Sequence, residues 1–178
     1  MDTAIFYGIQ RFVGLSSALD GFGIFCASVL IWIEAALVII FFFLDRRRRS
    51  WAVAGAAVSG IIAWLASEGI GLLYFRPRPF AALANAHLLI NKSPLDKSFP
   101  SDHASIAFAL AFAIYFVDRR WGAAFLALAA VISLARVFVG VHYLSDVLAG
   151  ALVGFICAFF IHRLIHNFLR TAHHPANI

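Results

Sequence analysis

The chain has 178 residues, of which 63% are apolar and 13% charged, against roughly 45–50% and 25% in soluble domains. A mean hydropathy of +0.91 leaves too few polar residues to clothe a water-soluble domain, so residues 1–178 are expected to form a single integral membrane domain. The formal net charge is +5, yet the basic residues form no single stripe, and four of the fourteen sit together in Arg46–Arg49, which argues for membrane topology and against nucleic acid as a partner.

In chain order, Ala4–Ser17 places Ile5, Phe6, Ile9, Phe12 and Val13 at helical spacing with Gln10 and Arg11 elsewhere, which suits a helix lying in the membrane interface. No basic segment precedes a small-residue cleavage site, so the first span is expected to act as its own insertion signal. Five apolar runs near the length a bilayer requires follow: Gly21–Leu44, Trp51–Phe75, Ser101–Val117, Trp121–Val139 and Tyr143–Ile161. The predicted fold class is all-α, a polytopic bundle of about five transmembrane helices plus the N-terminal interfacial helix. Between the second and third runs, Arg76–Pro100 holds four of the five prolines and reads as loop, with a short helix around Ala81–Leu89. Cys26 and Cys157 lie in apolar runs without CxxC spacing and read as small core residues.

If five spans alternate, Arg46–Arg49, Arg119, Arg120, Arg163 and Arg170 share one side, and Arg11, Arg76, Arg78, Lys92 and Lys97 the other, eight against five with Arg136 inside a span. The richer side is expected to be cytoplasmic. The same parity gathers three polar clusters on the opposite, outer face: Arg76-Pro77-Arg78-Pro79 after the second span, Pro100-Ser101-Asp102-His103 opening the third, and Arg136, His142 and Asp146 around the turn from fourth to fifth. Ionisable residues at such positions are costly and read as functional when partners can be named.

Each residue type suits an anion. Guanidinium groups match phosphoryl oxygens with paired hydrogen bonds, and Arg78 and Arg136 arrive from different helices. The start of the third span supplies free N–H groups and the Ser101 hydroxyl. His142 and Asp146, four residues apart, would share a helical face, the carboxylate fixing the imidazole tautomer and leaving the other ring nitrogen to attack. His103, from a separate helix, is placed to protonate a leaving oxygen. Asp102 reads as a helix cap, since its carboxylate would repel phosphate. Glu34 and Glu68 read as interhelical hydrogen-bonding groups, and His162, His166, His173 and His174 as an exposed tail. An ion-conducting protein would spread its charges through the depth of the spans, and an inactive lipid-binding protein would be expected to lack His103, His142 or Arg136. Neither pattern is present.

These residues resemble the membrane-bound type-2 phosphatidic acid phosphatase superfamily, whose signature reads K-x6-R-P, P-S-G-H and S-R-x5-H-x3-D. Arg78-Pro79 matches the end of the first part, Pro100, Ser101 and His103 the second, and Arg136, His142 and Asp146 the third. Gly71 stands where the lysine is expected, Asp102 replaces the glycine, and Ala135 replaces the serine. Tyr74–Phe80, Ser98–His103 and Val139–Asp146 look most like the bacitracin-resistance-type undecaprenyl-diphosphate phosphatases. The resemblance implies His142 as nucleophile forming a phosphohistidine, Asp146 as its orienting partner and His103 as general acid. It implies Arg78, Arg136 and Ser101 as ligands of the transferred phosphoryl group, with Arg76 a replacement for the missing lysine. No metal or other cofactor is implied. The implied substrate is a polyprenyl diphosphate or another lipid phosphate in a bacterial plasma membrane, handled on the periplasmic or outer side and serving lipid-carrier recycling for peptidoglycan. Phosphatidylglycerophosphate and lipid A phosphatases or phosphotransferases are the alternatives within the family.

Overall fold

The computed structural model describes residues 1–44 and 46–172, all of whose regular structure is helical. Eight helices follow in order: α1 (Asp2–Gln10), α2 (Ser17–Ser28), α3 (Leu30–Leu44), α4 (Arg46–Leu73), α5 (Pro79–Ala82), α6 (Asp102–Tyr115), α7 (Arg119–Phe138) and α8 (Leu144–Ala172). Three contain stretches long and apolar enough to cross a membrane: Trp51–Leu73, Arg119–Phe138 and Leu144–Thr171. The pair α2 and α3 passes the same test only when taken together, bent by 50° at Val29, so the first apolar run is a broken helix instead of one continuous span.

The helix of the third apolar run, α6, has 14 residues, about 21 Å at 1.5 Å per residue and short of a 30 Å hydrocarbon core. It packs against α4, α7 and α8, and Ala104, Ala107, Ala109, Leu110, Ala111, Ala113 and Ile114 are buried along it. Protein, not lipid, surrounds most of this helix, so it need not match the bilayer. Its small side chains let its neighbours come close. On α8 a Cβ at Gly150 would lie 2.7 Å from the Ser101 carbonyl oxygen, and one at Gly154 would lie 2.6 Å from that of Ser105. The spacing of these two glycines is the small-xxx-small pattern by which membrane helices bring backbones together.

Several expected boundaries shift for local reasons. The interfacial helix stops at Gln10 instead of Ser17, and a turn leads to Ser16, whose hydroxyl accepts from the Ala18 N–H and caps α2. Arg46–Arg49 open α4 instead of forming a loop. Their side chains, with His173 and His174, lie outside the described residues. His162 and His166 belong to α8 and not to a tail, and the His162 ring packs 5.1 Å from that of Phe116. The helix expected at Ala81–Leu89 is one turn, α5, begun by Pro79. Cys26 and Cys157 are free thiols, the first buried and the second half-buried. Glu34 is fully buried, but neither carboxyl oxygen has a hydrogen-bond partner, so the interhelical bond expected of it is not made. Glu68 instead reaches 3.6 Å from the Lys97 ammonium.

Candidate active site

The C-terminal ends of α4 and α7 and the N-terminal ends of α6 and α8 meet, and the loop 74–101 closes over them. Pro77 and Pro79 end the helical path after Leu73 and hold Arg76 and Arg78 on extended chain. The loop is tied down by backbone bonds from Ser98 N–H to the Arg76 carbonyl, 2.8 Å, and from Ser101 N–H to the Asp146 carbonyl, 3.1 Å. One loop thus touches two of the sequence clusters and the base of the third.

His142 is 2% exposed. Its Nδ1 lies 2.8 Å from the Ser98 carbonyl oxygen and its Nε2 3.4 Å from Arg78 Nη1. A carbonyl only accepts, so the neutral ring carries its proton on Nδ1 and keeps a lone pair on Nε2. Burial pushes the imidazole pKa down to about 4; contact with Asp146 works in the opposite direction, and the Arg136 and Arg78 charges add to the depression. The neutral form, with its lone pair on Nε2, is therefore the resting form at neutral pH.

Direct orientation of His142 by Asp146 is not what the geometry shows. Their closest approach, Nδ1 to Oδ2, is 3.7 Å, beyond hydrogen-bond range. His142 precedes the first turn of α8, so spacing of four does not put the two on one helical face. Asp146 reaches back to the start of its helix: Oδ2 accepts from the Tyr143 N–H at 2.8 Å, as a carboxylate in a capping box does, and from Ser98 Oγ at 2.5 Å. Since the Ser98 carbonyl bonds His142, Ser98 links Asp146 to the imidazole.

Arg76 is engaged on the same side. Its Nη1 donates to Asp146 Oδ1 at 2.6 Å and to Ser145 Oγ at 2.7 Å, and its Nη2 donates to Asp2 Oδ2 at 2.8 Å. Its guanidinium carbon lies 3.8 Å from the centre of the Tyr143 ring. Burial disfavours the charge, but Asp2 and Asp146 outweigh that and raise the Arg76 pKa above its ordinary value. Asp2 also accepts from the Ser145 N–H and hydroxyl, so α1 is bonded into the site.

Arg78 and Arg136 are each 3% exposed. Arg78 Nη1 donates to the Val141 carbonyl at 3.1 Å; Arg136 Nη1 donates to the Ala27 carbonyl at 3.0 Å. Ala27 lies in the last turn of α2, where carbonyls lack intrahelical partners, so the break in the first span and the Arg136 guanidinium satisfy one another. Arg78 Nε, Arg136 Nε and Ser101 Oγ are buried without a partner. Leaving such donors unmatched costs about 1–3 kcal/mol each, which an arriving oxyanion would recover. His103, the second residue of α6, lies within electrostatic reach of Arg136 and His142. Asp102 is not a cap: its Oδ1 accepts from Ser67 Oγ and from Lys97 Nζ, both at 2.6 Å. The structure places Arg78, Ser101, His103, Arg136, His142 and Asp146, which the motifs name, at one end of the bundle. The motifs gave no sign of Asp2, Ser67, Lys97 or Ser98, which lie outside the signature spacings.

Buried guanidinium groups with open donors beside a neutral imidazole, at one end of an apolar bundle, define a membrane-embedded phosphatase. The chain belongs to the PAP2 superfamily, whose model matches residues 50–170. It is 31% identical to the undecaprenyl-diphosphatase BcrC of Bacillus subtilis, over 92% of this chain and 83% of that protein. It is also 31% identical to the bacitracin transport permease protein BcrC of Bacillus licheniformis, over 77% of this chain and 67% of that one. Among solved structures, LpxE from Aquifex aeolicus superposes with a TM-score of 0.73 at 24% identity, covering 90% of this chain and 94% of that one. At that identity the superposition speaks for the fold alone.

Proposed function

We propose that this enzyme removes the terminal phosphate of undecaprenyl diphosphate to give undecaprenyl phosphate, at the outer face of a bacterial plasma membrane, and so recycles the lipid carrier of peptidoglycan synthesis. The observation that carries the chemistry is the buried His142 ring, its Nδ1 on the Ser98 carbonyl and its Nε2 beside Arg78. The substrate rests on the relatives: the BcrC proteins are similar over most of the chain.

In this reading Arg78, Arg136 and Ser101 receive the oxygens of the terminal phosphoryl group with donors that have no other partner. His142 Nε2 attacks phosphorus, the bond to the bridging oxygen breaks, and His103 delivers a proton to the departing prenyl phosphate. Water then attacks the phosphohistidine, giving its proton to His103 and releasing orthophosphate and His142. Asp146 and Ser98 keep the imidazole tautomer fixed, and Arg76 holds Asp146 instead of touching substrate. No step calls for a metal. An apolar groove of about 400 Å³ between α2 and α7, lined by Phe22, Leu134, Ala135 and Phe138, is the candidate seat for the prenyl tail, on the helix that carries Arg136. The excess of arginine on the side opposite the site supports the outward orientation.

The test is phosphate release by the purified protein in detergent, with chelator present, from undecaprenyl diphosphate, phosphatidylglycerophosphate and a lipid A diphosphate. Preference for the prenyl substrate is expected. Preference for either of the others would overturn the substrate assignment, and activity lost with chelator would overturn the metal-free route.

A further inference from the structure

Beside Arg78 lies a polar cavity of about 400 Å³, lined by Arg78, Lys92, Lys97, Glu68, Asp96 and Asp102 among others. His142, Arg136 and Ser101 do not line it; Arg78 alone among the phosphoryl-binding groups does, with its Nη1 3.4 Å from His142 Nε2. A phosphoryl group held at His142 therefore has this cavity next to it, across one guanidinium.

Lys97 is set into the cavity by a close fit with α4. A Cβ at Gly71 would fall 1.8 Å from Lys97 Cδ and 2.7 Å from its Cε, so the lysine stem lies in the space that a side chain at position 71 would occupy. Only glycine there permits it. The Lys97 side chain is 11% exposed, and its ammonium has one short bond, 2.6 Å to Asp102 Oδ1. Ser67 Oγ and the Pro100 carbonyl are 3.4 Å away and Glu68 Oε1 is 3.6 Å away. A lysine ammonium has three donors: one makes the short bond that aims it at Asp102, and the other two make only long bonds, to Ser67 and Pro100, which an arriving anion could replace. Across the cavity Lys92 pairs with Asp96 at 3.1 Å. Two departures from the family signature, Gly71 for lysine and Asp102 for glycine, thus have one physical cause in this chain: a lysine supplied from the loop, laid over the glycine and steered by the aspartate.

We propose that Lys97 binds the phosphate that is not transferred, and so makes this site select diphosphates over monophosphates. This inference rests on the phosphoryl site proposed at His142 and extends it by one phosphate. The carboxylates of the cavity restrain its cations, Asp102 holding Lys97 and Asp96 holding Lys92, and a bound anion would bridge them to Arg78.

The experiment measures inhibition by inorganic diphosphate and by orthophosphate, using as reporter whichever lipid phosphate the wild-type protein hydrolyses. In wild type, diphosphate is expected to bind at least 10-fold more tightly than orthophosphate. Lys97→Met should weaken diphosphate at least 10-fold and orthophosphate less than 3-fold. The double variant Gly71→Lys/Lys97→Ala, which returns a lysine to the vacated space, should recover most of the difference and covers the case in which Lys97→Met does not fold. Equal inhibition by the two anions in wild type, an equal or absent effect of Lys97→Met, or no recovery in the double variant would overturn the role of Lys97. A wild-type protein that hydrolyses only lipid monophosphates while Lys97 still selects inorganic diphosphate would overturn the undecaprenyl diphosphate reading and leave the role of Lys97 standing.

Discussion

His142 is held neutral by burial, and the cost appears in acid. With a folded pKa of about 4 against 6.5 for the free group, the unfolded chain binds the extra proton between those values, so the stability contributed by neutral His142 is complete above pH 6.5 and is lost as pH falls towards 4. The shift corresponds to about 3 kcal/mol. Thermal unfolding in detergent from pH 7 to 4 should therefore show a shallower acid loss for His142→Gln than for wild type; parallel curves would contradict the assignment. Ser98 carries a second prediction. Removing its hydroxyl takes away a 2.5 Å donor to Asp146 but leaves the backbone carbonyl that holds Nδ1. Ser98→Ala should lower kcat by about 10-fold, the effect of about 1.4 kcal/mol, with little change in KM. Wild-type kcat in that variant would remove Asp146 and Ser98 from the orientation of His142.

At the scale of helices, the apolar runs located the second and fourth crossings within two residues and the start of the fifth, which continues ten residues past its expected end at Ile161, because a membrane span announces itself by length and composition. Other features were hidden for identifiable reasons. The break at Val29 has neither proline nor glycine beside it in the sequence, and the carbonyl it leaves is matched by Arg136 from 109 positions away. The capping role of Asp146 was hidden because a spacing of four suggests one helical face, whereas α8 begins only at Leu144. Gly150 and Gly154 drew no reading from the sequence, because their meaning lies in the contact of α8 with α6. Gly154→Leu would drive side-chain atoms into the Ser105 carbonyl and the Ala109 N–H, 2.6 and 2.7 Å from the new Cβ. Overpacking of this kind costs about 1–3 kcal/mol, and since Ser101 and His103 open α6, activity should fall with the unfolding temperature. A variant of wild-type stability would show that this contact is not tight.

For the whole molecule, span parity alone brought three distant clusters to one end of the bundle, and the bonds among Arg76, Arg78, Ser98, Val141 and Asp146 realise that convergence. Orientation across the membrane makes its own prediction: Asn91→Cys, on the loop beside the site, should react with a membrane-impermeant maleimide added to intact cells or spheroplasts. Labelling only after lysis would reverse the topology. The central claim, a phosphohistidine on His142 formed from a prenyl diphosphate, is tested most directly by rapid acid-free quenching with substrate labelled in its terminal phosphate. The wild-type chain should carry an acid-labile, base-stable phosphoryl label that is absent in His142→Gln; label that persists in His142→Gln, or turnover by that variant at the wild-type rate, would contradict it.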